Sequence, residues 1–80
     1  MSLEMLSERE RQIALMIVKG LTNKAIAKEL GVAEGTVKVH LRVIYQKFGV
    51  YRRVKLAIEI QSELRSSGGL GERLPSNRAR

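Results

Sequence analysis

The apolar residues along this chain recur at helical intervals from the first segment to the last, and no stretch alternates convincingly as a strand. In GTVKVHLRVIYQKFG, residues 35–49, Val37, Leu41, Ile44 and Phe48 fall on one stripe of a helix and predict a core-facing side. On the other side lie Gly35, Lys38, Val39, Arg42 and Gln46. A helix that merely packed against its neighbours would not need two cations beside a bare valine there, so this second face points to a partner.

Three more helices follow from the same pattern and its punctuation. Ser7 opens S-E-R-E, a capping box in which the Ser7 hydroxyl accepts from the Glu10 N–H and the Glu10 carboxylate reaches back. The helix it starts, about residues 8–19, presents Ile13, Met16, Ile17 and Gly20 in register; Gly20 suits a left-handed stop, with Leu21 folding back on Met16. Thr22 caps a second helix, NKAIAKEL, which points Ile26 and Leu30 inward and ends at Gly31. At about two turns it cannot persist alone in water, so tertiary packing must hold it. The third helix follows Val32 and Ala33 and stops at Gly49.

The fourth helix, about 53–66, carries two apolar faces. Leu56, Ala57, Ile60 and Leu64 are assigned to the core; Val54, Ile58 and Gln61 form a second strip turned away from it and in want of a partner. Residues 67–80, SSGGLGERLPSNRAR from Ser66 onward, are rich in Ser, Gly, Pro and Asn and are expected to form a flexible basic tail. The expected organisation is thus a helical domain over 1–66 followed by that tail.

Composition narrows the partner. Eighty residues support one modest core and no second catalytic domain. Fifteen Lys and Arg against eight Asp and Glu give a net charge of +7, which favours DNA, RNA or an acidic membrane over a neutral ligand, unless the charge serves only solubility. With no cysteine there is no disulfide framework or thiolate metal site, and the lone His40 has no partnered ligand or nucleophile. No metal, cofactor or catalytic residue is expected, and the chain is not expected to be an enzyme. The longest apolar runs are too short to span a bilayer and no signal peptide is visible, so a cytoplasmic protein with no membrane partner is expected.

A short helix ending in glycine, a tight turn and a longer basic helix make a helix-turn-helix, whose second helix lies in the DNA major groove. Ala27 supplies a small side chain where the helices cross, Gly31 allows the turn, and Val32 with Val37 closes the crossing. A helix pair used only for protein contacts fits the same features.

The blocks LSERERQI, GLTNKAIAKELGV, EGTVKVHLRVIYQKFGV and RRVKLAI, in this order and spacing over about residues 5–64, resemble the LuxR-type, or NarL/FixJ-type, DNA-binding domain of bacterial transcription regulators. The resemblance implies an all-α, four-helix domain whose third helix reads promoter DNA and whose fourth helix supports dimerisation. It places Lys38, Val39 and Arg42 in the groove, where the helical wheel had put them on the outer face. Lys and Arg donate to guanine O6 and N7, and a valine packs against a thymine methyl; otherwise Val39 is an ordinary exposed apolar residue. Lys24, Thr36, His40 and Lys47 flank this face and suit phosphate oxygens, or are simply solvated.

Three positions depart from the family pattern. Ala33 stands where a Ser or Thr usually caps the recognition helix, and Val43 where a polar residue, often Asn, is common. Arg52 stands where Ser or Asn often caps the fourth helix. With Arg53 it opposes the helix dipole, yet the pair makes a good site for a DNA phosphate. Val54, Ile58 and Gln61 are expected to form a small two-fold contact, giving a dimer that is weak when free, unless they finish the monomer core.

The resulting expectation is a sequence-specific transcriptional regulator, or the effector domain of one, acting on double-stranded promoter DNA as a dimer, with RNA polymerase as a further partner. Family members usually carry an N-terminal receiver or ligand-sensing domain as well. Two alternatives remain: a promoter-binding module like region 4 of a sigma factor, dependent on the polymerase, and a protein-interaction module docking an acidic partner.

Overall fold

The computed structural model describes residues 3–72, with side chains as far as Ser66. Its fold is all-α. A 3-10 turn at Leu3–Met5 leads into α1 (Glu8–Val18), α2 (Asn23–Leu30), α3 (Glu34–Phe48) and α4 (Arg53–Glu72). No strand occurs among the described residues.

The starts of α1 and α2 and the stops of α1, α2 and α3 follow from local chemistry. The α1 capping box is complete: the Glu10 N–H donates to Ser7 Oγ at 3.1 Å, and the Ser7 N–H donates to Glu10 Oε1 at 2.9 Å. Thr22 Oγ1 accepts from the Ala25 N–H at 3.1 Å and starts α2. At the far end Gly31 takes φ +69°, which lets the Val32 N–H turn back to the Ala27 carbonyl at 3.0 Å. The same pairing ends α1, where the Leu21 N–H reaches the Met16 carbonyl, and α3, where the Val50 N–H reaches the Tyr45 carbonyl. Residues 31–33 therefore turn the chain sharply from α2 into α3.

Packing then fixes the helices as a unit. Ile13, Ala14 and Ile17 of α1 are buried with Ile26 and Ala27 of α2, Val37, Leu41, Ile44 and Phe48 of α3, and Leu56 and Ile60 of α4. α2 packs on α3, and α1 packs on both α3 and α4. Burying Ile26 completely contributes about 2 kcal/mol, which a two-turn helix cannot supply from its own hydrogen bonds. Leu6, after the 3-10 turn, and Val50, in the link to α4, also enter the core; neither lies in a periodic helical segment.

One expectation is corrected. α1 stops at Val18, within the error of any boundary, whereas α4 runs on to Glu72 and takes in residues 67–72, which were expected to belong to the tail. The remainder of the expected tail, 73–80, lies outside the described residues. The two faces of α4 are as expected: Leu56 and Ile60 have no exposure, whereas Val54 is 73% and Ile58 50% exposed. These two residues therefore do not complete the monomer core.

Candidate nucleic-acid interface

The division of α3 into two faces is complete. Val37 and Ile44 have no exposure, Leu41 and Phe48 little, while Lys38, Arg42 and Gln46 are open and Val39 is 60% exposed. α1, α2 and α4 all contact the buried side, so the helix stands as a rigid ridge with its polar side outward. Lys38 and Arg42 are four residues apart and therefore neighbours on the helix surface, with Val39 beside them. Neither cation has a hydrogen bond or ion pair with another described residue. Two such cations on a rigid helix are ready to donate to an external acceptor without first breaking an internal contact.

The start of α3 is the weak point of the ridge. Ala33 holds N-cap geometry, φ −72° and ψ 150°, but offers no side-chain acceptor. Only its carbonyl serves, taking the Thr36 N–H at 3.0 Å and the Val37 N–H at 3.4 Å. Thr36 in the first turn of α3 is exposed, as is Lys24 in the first turn of α2, while His40 and Val43 further along α3 are half-buried.

Two residues expected to meet phosphate are committed elsewhere. Lys47 Nζ donates to Glu10 Oε1 and to the Met5 carbonyl, each at 2.9 Å, and so joins α3 to the start of α1. This hydrogen bond from Lys47, aided by the Ser7 backbone N–H, holds the Glu10 carboxyl below its usual range. Arg53 Nη1 donates to Asn23 Oδ1 at 2.7 Å and Nη2 to the Leu21 carbonyl at 2.6 Å. In the free domain their donors are aimed at neighbouring helices, because a carboxylate or carbonyl already lies within reach. Arg52, by contrast, is exposed, and its carbonyl accepts the Leu56 N–H at 2.9 Å to start α4.

Sequence reasoning missed Asn23 and Tyr51. Asn23 opens α2 and receives the Arg53 guanidinium; its place beside a capping threonine signals a helix start but not this partner. Tyr51, in the short link between α3 and α4, is 96% exposed. An aromatic in a link between two helices is the signal that was available for it.

A family model described as bacterial regulatory proteins, luxR family, matches residues 4–60. The chain belongs to the luxR family. Membership makes it a helix-turn-helix domain of the kind carried by bacterial regulatory proteins that bind DNA. Among individual relatives, the chain is 41% identical over 58 residues to the nitrate/nitrite response regulator protein NarL of Escherichia coli (strain K12), covering 72% of this chain and 27% of NarL. It is also 41% identical over 63 residues to the HTH-type transcriptional regulator MalT of Serratia proteamaculans (strain 568), covering 79% of this chain and 7% of MalT. The chain thus spans about a quarter of the one luxR-family relative and less than a tenth of the other. Among the described residues no helix is long and apolar enough to cross a membrane.

Proposed function

We propose that this luxR-family domain controls transcription by inserting α3 into the major groove of promoter DNA, with two copies joined through α4. The observation that carries the reading is the division of α3: Val37 and Ile44 are fully buried, while Lys38, Val39 and Arg42 are exposed on the opposite side and the two cations have no partner among the described residues. Lys38 and Arg42 donate to guanine edges and Val39 packs against a thymine methyl. Lys24, Thr36, His40 and Arg52 meet phosphates on the groove walls and fix the register without reading sequence.

Val54, Ile58 and Gln61 make the two-fold contact. So small a patch pairs weakly in solution and mainly on DNA, where two half-sites about one helical turn apart hold both copies. RNA polymerase is the further partner of such a regulator, and the bacterial cytoplasm is its place of action. The relatives named as a response regulator and as transcriptional regulators support this role at the level of the domain.

Selection from a random duplex library at near-physiological salt, with wild type and Lys38→Ala in parallel, tests the reading. An enriched motif with dyad symmetry, relaxed in the variant, is expected. Salt-sensitive binding with no enriched sequence would leave only backbone attraction and remove the base-reading role.

A further inference from the structure

Beside the exposed face of α3, toward the link into α4, lies an open groove of about 620 Å³. Its lining joins the nearly buried Leu41 and Val50, 4% and 7% exposed, to Tyr45 and Tyr51, with Lys38 and Arg42 of α3 and the amides Asn23 and Gln46 also contributing. No Asp or Glu lines it. The volume lies within the range of roughly 300–1,000 Å³ typical of small-molecule sites.

The lining selects the ligand. A hydrated phosphodiester has little to offer the apolar part of this lining, whereas a planar apolar body covers both that part and the Tyr51 ring, which is 96% exposed. Lys38 and Arg42 have no acidic partner among the described residues and add two positive charges at one side of the groove. The planar guanidinium of Arg42 matches a carboxylate through two parallel hydrogen bonds. We propose that this groove binds a planar aromatic carboxylate, and that the bound ligand excludes DNA because both require Lys38 and Arg42. The first half stands on the groove alone; the second rests on the DNA-reading role of α3.

The chain has two tyrosines and no tryptophan, and both tyrosines line the groove, so their ring protons report on it directly. The test is a titration of the protein with 2-naphthoate followed by NMR, with 2-naphthalenemethanol as the uncharged counterpart and acetate as the bare charge. Saturable shifts of both tyrosines with a dissociation constant on the order of 1 mM or tighter are expected for 2-naphthoate. Tyr51→Ala and Arg42→Gln should each weaken it at least about fivefold, without lowering the melting midpoint, since both side chains are exposed. Absence of saturation overturns the site, as does equal binding of 2-naphthalenemethanol, equal shifts with acetate, or unchanged affinity in Tyr51→Ala.

In a second arm, 2-naphthoate is added to the complex with a selected duplex. The apparent dissociation constant for DNA should rise in proportion to ligand occupancy in wild type and far less in Tyr51→Ala. Ligand binding with no effect on DNA affinity overturns the exclusion. A protein that binds 2-naphthoate but no duplex would instead sink the DNA-reading role and leave the groove assignment standing. Loss of DNA affinity in Tyr51→Ala with 2-naphthoate binding intact makes the groove part of the DNA surface and overturns the ligand site.

Discussion

Lys47 Nζ lies 2.9 Å from Glu10 Oε1, the same oxygen that accepts the Ser7 N–H in the capping box of α1. One carboxylate oxygen thus holds the start of α1 and the end of α3 together, and Lys47 also takes the Met5 carbonyl just upstream. Removing the ammonium by Lys47→Met leaves a carboxylate whose side chain is only 10% exposed with the Ser7 contact alone. The expected loss is about 1–2 kcal/mol in denaturant unfolding at pH 7, reduced from a fully buried pair because Lys47 is itself one-third exposed. The salt dependence of DNA binding should keep its slope in this variant; a drop of one unit would restore Lys47 as a phosphate contact.

The same pair sets a pH dependence. The folded state holds the Glu10 carboxyl below its ordinary value of 4.5, chiefly through the hydrogen bond from Lys47. Folding therefore favours the ionised form. The resulting stability is fully present above pH 4.5 and is lost as pH falls through the depressed folded value. Glu10→Gln should be less stable than wild type at neutral pH, and the gap should narrow on acidification. A gap that stays constant from pH 7 to pH 2 removes Glu10 from the acid transition.

Arg53 and Arg52 are adjacent in sequence and do different work. Arg53 spans from α4 to Asn23 Oδ1 and the Leu21 carbonyl with two separate nitrogens, a geometry a lysine cannot reproduce. Arg53→Lys is expected to cost about 1–2 kcal/mol of stability, and Arg52→Lys less than about 0.5 kcal/mol. Arg52→Ala should weaken binding to all duplexes alike and reduce the salt slope by about one. Equal melting midpoints for the two lysine variants would remove the structural role of Arg53.

What the sequence made legible was whatever depends on residues close in the chain. Ser7 with Glu10, Thr22 with Ala25 and the glycines at 20, 31 and 49 act within one turn, and the stripe Val37–Leu41–Ile44–Phe48 is a property of a single helix. The outer face of α3 was legible for the same reason. Contacts that join distant segments were not: Lys47 meets Glu10 across 37 residues, and Arg53 meets Asn23 across 30. A wheel gives the side of a helix a cation occupies but not whether a carboxylate from another helix stands there. The groove formed with Tyr51 was hidden for the same reason, since its lining comes from α2, α3 and the link.

Ala33 offers a gain rather than a loss. Its backbone already has the N-cap conformation, so a hydroxyl placed there can accept one of the free N–H groups of the first turn of α3 without rearrangement. Ala33→Ser should stabilise by about 1 kcal/mol, which for a domain of this size raises the melting midpoint by about 4–8 °C. An unchanged or lowered midpoint would mean that the α3 N-terminus is satisfied in another way.

The patch on α4 is open to a test that separates assembly from DNA contact. Val54 and Ile58 are exposed and uncharged, so replacing both with Ser changes neither the core nor the electrostatic attraction to phosphate. The double variant Val54→Ser, Ile58→Ser should keep the melting midpoint, the affinity for a duplex bearing one half-site and the salt slope. On a duplex bearing two half-sites the cooperative gain should fall by about tenfold, because each protomer withdraws apolar area from the two-fold contact. A loss of about 2 kcal/mol in stability would place Ile58 in the monomer core instead. Cooperativity unaffected by the double substitution would move the dimer contact off this face of α4.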